Sequence, residues 1–130
     1  MRRVHLIVGL LGVVAFLITG QLMSHHSPPV RALTPDVHMM YISRHIYLLG
    51  AALVNLVLGL CLREYSPGWR RTLQQIGSVL IFLSVLSLLM AFISEPALGL
   101  TGRSWRSYFG LIGLFAGVMT HLVAASTGEH

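Results

Sequence analysis

The sequence is poor in the residues that soluble enzymes and disulfide-bonded domains depend on. Its 130 residues include one cysteine, no lysine and four acidic residues, and Asp36 is the only aspartate. One thiol, Cys61, can form neither an internal disulfide nor a cysteine-based zinc site. No GxGxxG, P-loop or HExxH motif is present, and no Ser-His-Asp arrangement is indicated. The sequence therefore carries none of these catalytic signatures.

Apolar residues dominate what is present. They make up 55% of the chain against 10% charged residues, and the mean hydropathy is +0.75. A water-soluble domain of this size cannot hide so much apolar surface, so we predict a membrane protein in contact with the lipid bilayer. The nine basic residues are all arginine and contribute to a net charge of +5. Because they are scattered among apolar runs and form no stripe, they indicate interface anchors and no nucleic-acid partner.

Four apolar runs are long enough to cross a bilayer, whose hydrocarbon core of about 30 Å needs roughly 20 helical residues. They predict an all-α, polytopic membrane protein, a four-transmembrane-helix up-down bundle that forms a single membrane domain over residues 1–130. A threonine before Pro35 and a serine before Pro67 are typical helix starts, and Pro96 indicates the end of the third helix. The predicted helices cover approximately residues 4–23, 35–62, 67–94 and 104–125.

The arginines also predict the orientation of the chain. The apolar run after Arg2 and Arg3 is longer than the roughly 7–15 residues of a signal-peptide core, so we expect it to be the first transmembrane helix. An even number of spans places both termini on one side of the membrane. Five of the nine arginines fall on that side, and the connection between the second and third helices is compactly basic. Because basic residues collect in cytoplasmic loops, we expect both termini to be cytoplasmic.

One face of the second helix should organise the bundle. Asn55 lies in mid-membrane, where it needs a hydrogen-bond partner on another helix, and small residues beside it let a neighbouring backbone come close. Residues that share its face by helical periodicity are His45, Leu48, Ala52 and Gly59. Comparable inward faces are predicted on the other helices: His5, Gly9, Gly12, Phe16 and Thr19; Gly77, Ser84, Ser87, Ala91 and Ser94; Gly110, Gly113, Gly117 and His121.

The second and third helices are antiparallel neighbours joined by a short loop, so a register between them can be predicted. Arg44 and Glu95 stand at the same end of this pair and should form an ion pair near the lipid. Eleven residues deeper, about 16 Å along each helix, lie Asn55 and Ser84. We therefore expect Asn55 to bond to Ser84 or, one turn away, to Ser87.

Two histidines, His5 and His121, lie near the end of the bundle that holds the termini, on glycine-bearing faces of antiparallel helices. We expect both rings to point inward and to approach one another. Two inward imidazoles at one depth are what a b-type haem requires, and in this outline the chain resembles the four-helix membrane cytochromes b. The resemblance implies haem b with His5 and His121 as axial ligands. Those proteins usually carry two histidines on one helix, several turns apart, so that each histidine binds a different haem. No helix here has such a pair. The alternative is a structural role, in which each ring bonds to a facing hydroxyl or carbonyl.

The opposite end of the bundle carries a second group of histidines with methionines nearby. Imidazole and thioether suit copper, and imidazole also suits zinc, so this group is a candidate metal site on the periplasmic side. No spacing in it matches an established site, and an ordinary solvated loop is the alternative. The candidate ligands are His25, His26, His38 and His45.

The motif Arg-His-Ile-Tyr at residues 44–47 and the Asn55 helix resemble small uncharacterised four-span proteins of bacterial inner membranes. That resemblance covers most of the chain and implies the location but no activity. Our leading hypothesis is a non-enzymatic accessory or structural subunit that acts through other membrane subunits or through self-association. The alternatives are haem-b electron transfer between a quinone and an acceptor through His5 and His121, and metal binding by the outer histidines.

Overall fold

The computed structural model describes residues 1–98 and 104–126. In these ranges the chain forms four α-helices, one short 3-10 helix and no strand. All four α-helices are long and apolar enough to cross a membrane. The chain is therefore a multi-pass membrane protein, and the predicted all-α class and four-helix bundle are confirmed. The elements are α1 (Arg2–Ser24), the 3-10 helix (Val30–Ala32), α2 (Pro35–Cys61), α3 (Trp69–Leu98) and α4 (Trp105–Ser126).

Both ends of α3 differ from the prediction. The helix begins at Trp69 and not at Pro67, because Gly68 between them has a φ of 157°, which residues with a side chain rarely adopt. At its other end the helix continues through Pro96 to Leu98. Proline removes only its own N–H from the helix, so close to the last turn the chain passes it with the loss of one hydrogen bond.

The helix termini define two ends of the bundle. Arg2 Nε donates to Gly59 O at 3.3 Å, and Arg70 Nε donates to Ala124 O at 2.8 Å. The start of α1, the end of α2, the start of α3 and the end of α4 therefore lie together, at what we call the termini end. The opposite end, which includes the 3-10 helix and Ser104, is the loop end.

The helices form two antiparallel hairpins, α1 with α2 and α3 with α4, and glycines bring the backbones of each hairpin into contact. A Cβ on Gly12 would lie 2.8 Å from Ala52 Cβ, across the first hairpin. In the second hairpin Gly77 and Gly117 face each other, and a Cβ on either one would lie 2.9 or 2.8 Å from the carbonyl oxygen of the other. Such distances leave no room for a side chain, so each hairpin is a closely packed unit.

The two hairpins meet chiefly along α2 and α3. Leu48 and Ala51 of α2 pack against Val85 and Leu88 of α3 in a buried apolar layer at mid-depth. Polar side chains join the hairpins on either side of this layer. The inward faces predicted for α1 and α2 are largely confirmed, since their buried residues include His5, Gly9, Gly12 and Thr19 on α1 and Leu48, Ala52, Asn55 and Gly59 on α2.

Candidate functional site

Four polar side chains, one from each helix, form a continuous row at the termini end, which we call the histidine cluster: Asn55, His5, Ser78 and His121. His5 Nδ1 lies 2.9 Å from Asn55 Oδ1, and His5 Nε2 lies 2.8 Å from Ser78 Oγ. The same hydroxyl lies 3.3 Å from His121 Nε2. Because His5 and Asn55 belong to the first hairpin and Ser78 and His121 to the second, this row ties the hairpins together.

The cluster is almost completely buried. Its first three members have no exposed surface and His121 is 7% exposed. The two imidazole rings stand 5.8 Å apart between centroids, nearly perpendicular to each other, and the ring of Phe82 packs 4.6 Å from His5. The prediction that His5 and His121 point inward and approach one another is therefore confirmed.

Small neighbours explain how the rings reach each other. Gly77 precedes Ser78 on α3, and a Cβ on Gly77 would lie 3.0 Å from His121 Cδ2. The missing side chain thus lets α4 approach closely enough for His121 to reach the Ser78 hydroxyl. One atom of the cluster stays without a partner, because His121 Nδ1 is buried and makes no hydrogen bond with the part of the chain that the structure describes.

A haem does not fit between these two histidines. Axial ligation needs both Nε2 atoms to face an iron atom with the plane of the porphyrin between the rings. Here both Nε2 atoms bond to one hydroxyl, and Ser78 stands where the macrocycle would have to lie. The residues predicted as axial ligands instead form a hydrogen-bonded pair through Ser78, in keeping with the structural alternative.

The outer histidines do not converge. His25 Nδ1 lies 2.9 Å from Gln21 O, and His26 Nδ1 lies 2.7 Å from Pro28 O, so both rings bond to the backbone near them. Over residues 1–98 and 104–126, no three side chains of His, Cys, Asp or Glu stand close enough together to hold a metal ion. No three of the predicted copper or zinc ligands His25, His26, His38 and His45 therefore come together in the described part of the chain.

His45 lies deeper than the other outer histidines and contacts α1. Its Nδ1 lies 2.9 Å from Thr19 Oγ1, and its ring stacks on Phe16 at 4.0 Å between centroids with 17° between the planes. A Cβ on Gly20 would lie 3.3 Å from the same ring. His45 thus packs the first hairpin together at the loop end.

A second polar group, the arginine cluster, joins the hairpins at the loop end: Arg44, Glu95, Ser104 and Ser107. Arg44 Nε donates to Glu95 Oε2 at 2.8 Å, and the side chain of Glu95 is 2% exposed. The backbone N–H of Ser107 donates to Glu95 Oε1 at 2.9 Å, and its hydroxyl donates to Oε2. Arg44 also donates to Ser104 Oγ. The predicted pairing of Arg44 with Glu95 is confirmed, whereas the contacts of Ser104, just before α4, and of Ser107 in its first turn are not predicted.

The predicted bond from Asn55 to Ser84 or Ser87 is wrong. Asn55 bonds to His5 and to the carbonyl of Ala51 in its own helix. Ser84 donates to Leu80 O, and Ser87 donates to Arg106 O on α4. Equal distances along two helices place residues at one depth but do not determine the direction of a short side chain, and these serines face α4.

Sequence reasoning also missed Ser78, which is the link between the histidines. The only indication in the sequence is its position next to Gly77, which helical periodicity assigns to an inward face. Chemically, the cluster offers two imidazoles and a hydroxyl in one row, with one ring nitrogen that has no hydrogen-bond partner among the described residues. Comparison of the chain with protein-family models, with curated proteins and with solved structures finds no match in any of the three.

Proposed function

We propose that this protein is a non-enzymatic accessory subunit of the bacterial inner membrane, with both termini in the cytoplasm, which presents the outer face of α4 to a helix of another membrane subunit. The composition of that face carries the proposal. The chain's resemblance to four-span inner-membrane proteins supports the location.

Most polar side chains of the two clusters bond to one another inside the bundle. In the histidine cluster, His5 and Ser78 bond to neighbours on other helices. In the arginine cluster, Glu95 receives bonds from Arg44 and from Ser107. These groups hold the hairpins together, which supports a role through the outer surface.

The outer face of α4 is rich in aromatic residues over its first half, from Trp105 to Phe115. Phe115 is 68% exposed, the largest value among the described large apolar residues. Trp105 and Tyr108 suit a membrane interface, but Phe115 lies ten residues beyond Trp105, about 15 Å deeper, where an interfacial belt does not extend. The exposed face of α1 is aliphatic instead: Val4, Ile7, Leu10, Leu11, Val14, Leu17, Ile18 and Leu22. Aromatic side chains are enriched in protein interfaces, so the face of α4 is the better candidate for a partner helix.

The arginine cluster strengthens the proposed orientation. Arg44 is one of four arginines counted on the side opposite the termini, against five on the termini side. It lies within α2 and is buried in the bundle, so it does not belong to the loop. The margin then becomes five against three, which favours a cytoplasmic termini end. Reporter fusions at the two termini test this, and a C-terminal reporter that is active only in the periplasm would contradict it.

Site-specific photo-crosslinking tests the partner surface. A photoreactive residue replaces Phe115 in one variant and Val14 in the control, both facing outward in mid-membrane. We expect the Phe115 variant to give one protein adduct of defined mass, which is lost when Phe109→Leu is added, and the Val14 variant to give only lipid adducts.

Two differently tagged copies identify the partner. An adduct that carries both tags would mean that a second copy of this chain occupies α4, and would replace the hetero-subunit in the proposal. Protein adducts of equal yield at both positions, or lipid adducts alone at Phe115, would contradict a partner surface on α4.

A further inference from the structure

The histidine cluster has a defined hydrogen-bond direction, and Asn55 sets it. Asn55 Nδ2 donates to Ala51 O at 2.9 Å within α2. A carbonyl oxygen can only accept, so the amide nitrogen has to face it and the amide oxygen has to face His5. His5 Nδ1 therefore carries the hydrogen that it donates to Asn55 Oδ1, 2.9 Å away.

The other hydrogens follow because the rings are neutral. No acidic residue in the described part of the chain bonds to either imidazole, and an uncompensated charge is costly in a buried site. Neutral His5 has a bare Nε2, which accepts from the Ser78 hydroxyl at 2.8 Å. Ser78 has one hydrogen to donate, so on its other side it accepts from His121 Nε2 at 3.3 Å. The geometry thus assigns the Nε2–H tautomer to His121.

This assignment leaves His121 Nδ1 as a bare acceptor. It is the single buried side-chain nitrogen or oxygen that lacks a hydrogen-bond partner among the described residues. A buried acceptor without a donor has lost its hydration and gained nothing in return. The open position therefore calls for a donor from outside the chain.

We propose that His121 Nδ1 is a binding site for one O–H group, supplied either by an internal water molecule or by the hydroxyl of a small hydroquinone dissolved in the membrane. An O–H group matches the acceptor, whereas a metal ion would need further ligands, and the described residues contain no such group. The ligand has to be small or to enter end-on, because His121 is nearly buried. This site is independent of the proposed partner surface on α4.

Ligand binding at His121 Nδ1 should also strengthen the hydrogen bonds of the other residues in the histidine cluster. The ligand, His121, Ser78, His5 and Asn55 would form one series of bonds that all point the same way. In such a series each donor polarises the next, so a new bond at His121 Nδ1 strengthens the bond between Ser78 and His5. His5 Nε2 therefore serves as a second reporter of binding.

Nitrogen-15 spectra of the full-length protein, labelled at histidine and reconstituted in lipid bilayers, test the proposal. We expect His121 to show a protonated Nε2 and an unprotonated Nδ1, with magnetisation transfer from water to Nδ1. The organic probe is durohydroquinone, and its dimethyl ether, which has the same ring but no O–H, is the matched control. If durohydroquinone leaves the transfer from water unchanged, water is the ligand. If durohydroquinone removes this transfer and shifts the Nδ1 resonance, and its dimethyl ether does neither, the hydroquinone is the ligand.

Two substitutions locate the signal. His121→Gln keeps a donor toward Ser78 but has no atom at the Nδ1 position, so we expect it to abolish the shift of His5 Nε2 on ligand binding. His121→Asn keeps an acceptor near the Nδ1 position but has no donor that reaches Ser78, so it should also lose the shift of His5 Nε2. A neutral ring protonated at Nδ1 in the native protein, no transfer from water and no response to durohydroquinone, or a shift of His5 Nε2 that persists in either variant would each overturn the proposal.

Discussion

Replacing Ser78 by alanine should weaken the bundle more than any other single serine change on α3. The substitution removes one hydroxyl that bonds to His5 at 2.8 Å and to His121 at 3.3 Å. A typical hydrogen bond between membrane helices contributes about 0.6 kcal/mol, and a buried polar atom left without a partner costs roughly 1–3 kcal/mol. With two imidazole nitrogens affected, we expect a loss of about 2–4 kcal/mol in the free energy of unfolding. Titration with SDS in mixed micelles, followed by far-ultraviolet circular dichroism, measures it.

Ser84→Ala is the matched control for this measurement. Ser84 lies on the same helix and is 2% exposed, close to the 0% of Ser78, but its hydroxyl donates only to Leu80 O in the preceding turn. A bond of this kind adds little to helix stability, so its loss should cost under about 1 kcal/mol. Equal losses for Ser78→Ala and Ser84→Ala would refute the view that the histidine cluster joins the hairpins.

Two further predictions concern glycine contacts and the buried ion pair. Gly117→Ala should lower the free energy of unfolding by about 1–3 kcal/mol, because its Cβ would lie 2.8 Å from Gly77 O. The control Gly50→Ala has no atom within 4 Å of the new Cβ and should change the free energy of unfolding by less than about 1 kcal/mol. Similar SDS midpoints for the two variants would contradict the glycine contact. Arg44→Met should cost about 3–5 kcal/mol by leaving Glu95 buried without its partner, and adding Glu95→Gln should restore part of that loss in the same titration. Additive losses in the double variant would show that the charges do not interact.

Inward faces could be predicted from the sequence because helical periodicity is a local property. The rhythm of His5, Gly9 and Gly12 depends only on α1, and all three residues are buried. The pairing of Arg44 with Glu95 was also within reach, since a short loop sets the alignment of antiparallel neighbours and long side chains tolerate errors of rotation.

The partner of Asn55 could not be predicted because it depends on how each helix is rotated about its axis. That rotation is set by contacts between helices, such as the one between Gly77 and Gly117, which no single helix reveals. A short serine side chain reaches only one neighbour, so Ser84 turned toward α4 cannot meet α2. The histidine cluster itself was half predicted: the two rings were identified, but the hydroxyl that joins them was not.

Arg44 and Glu95 lie on different hairpins, so the ion pair can form only after α3 of the second hairpin has been synthesised. Arg44 and Glu95 are 51 residues apart in the chain, and ribosomes add about 5–20 residues per second, so the guanidinium waits roughly 3–10 s for its carboxylate. The glycine contacts and the bond between His5 and Asn55 lie within the first hairpin, so they can form during that interval. A long arginine side chain can meanwhile extend to the lipid–water boundary. We therefore expect the nascent first hairpin to be inserted less deeply in the bilayer than in the complete bundle. It should reach its final depth once Arg44 pairs with Glu95.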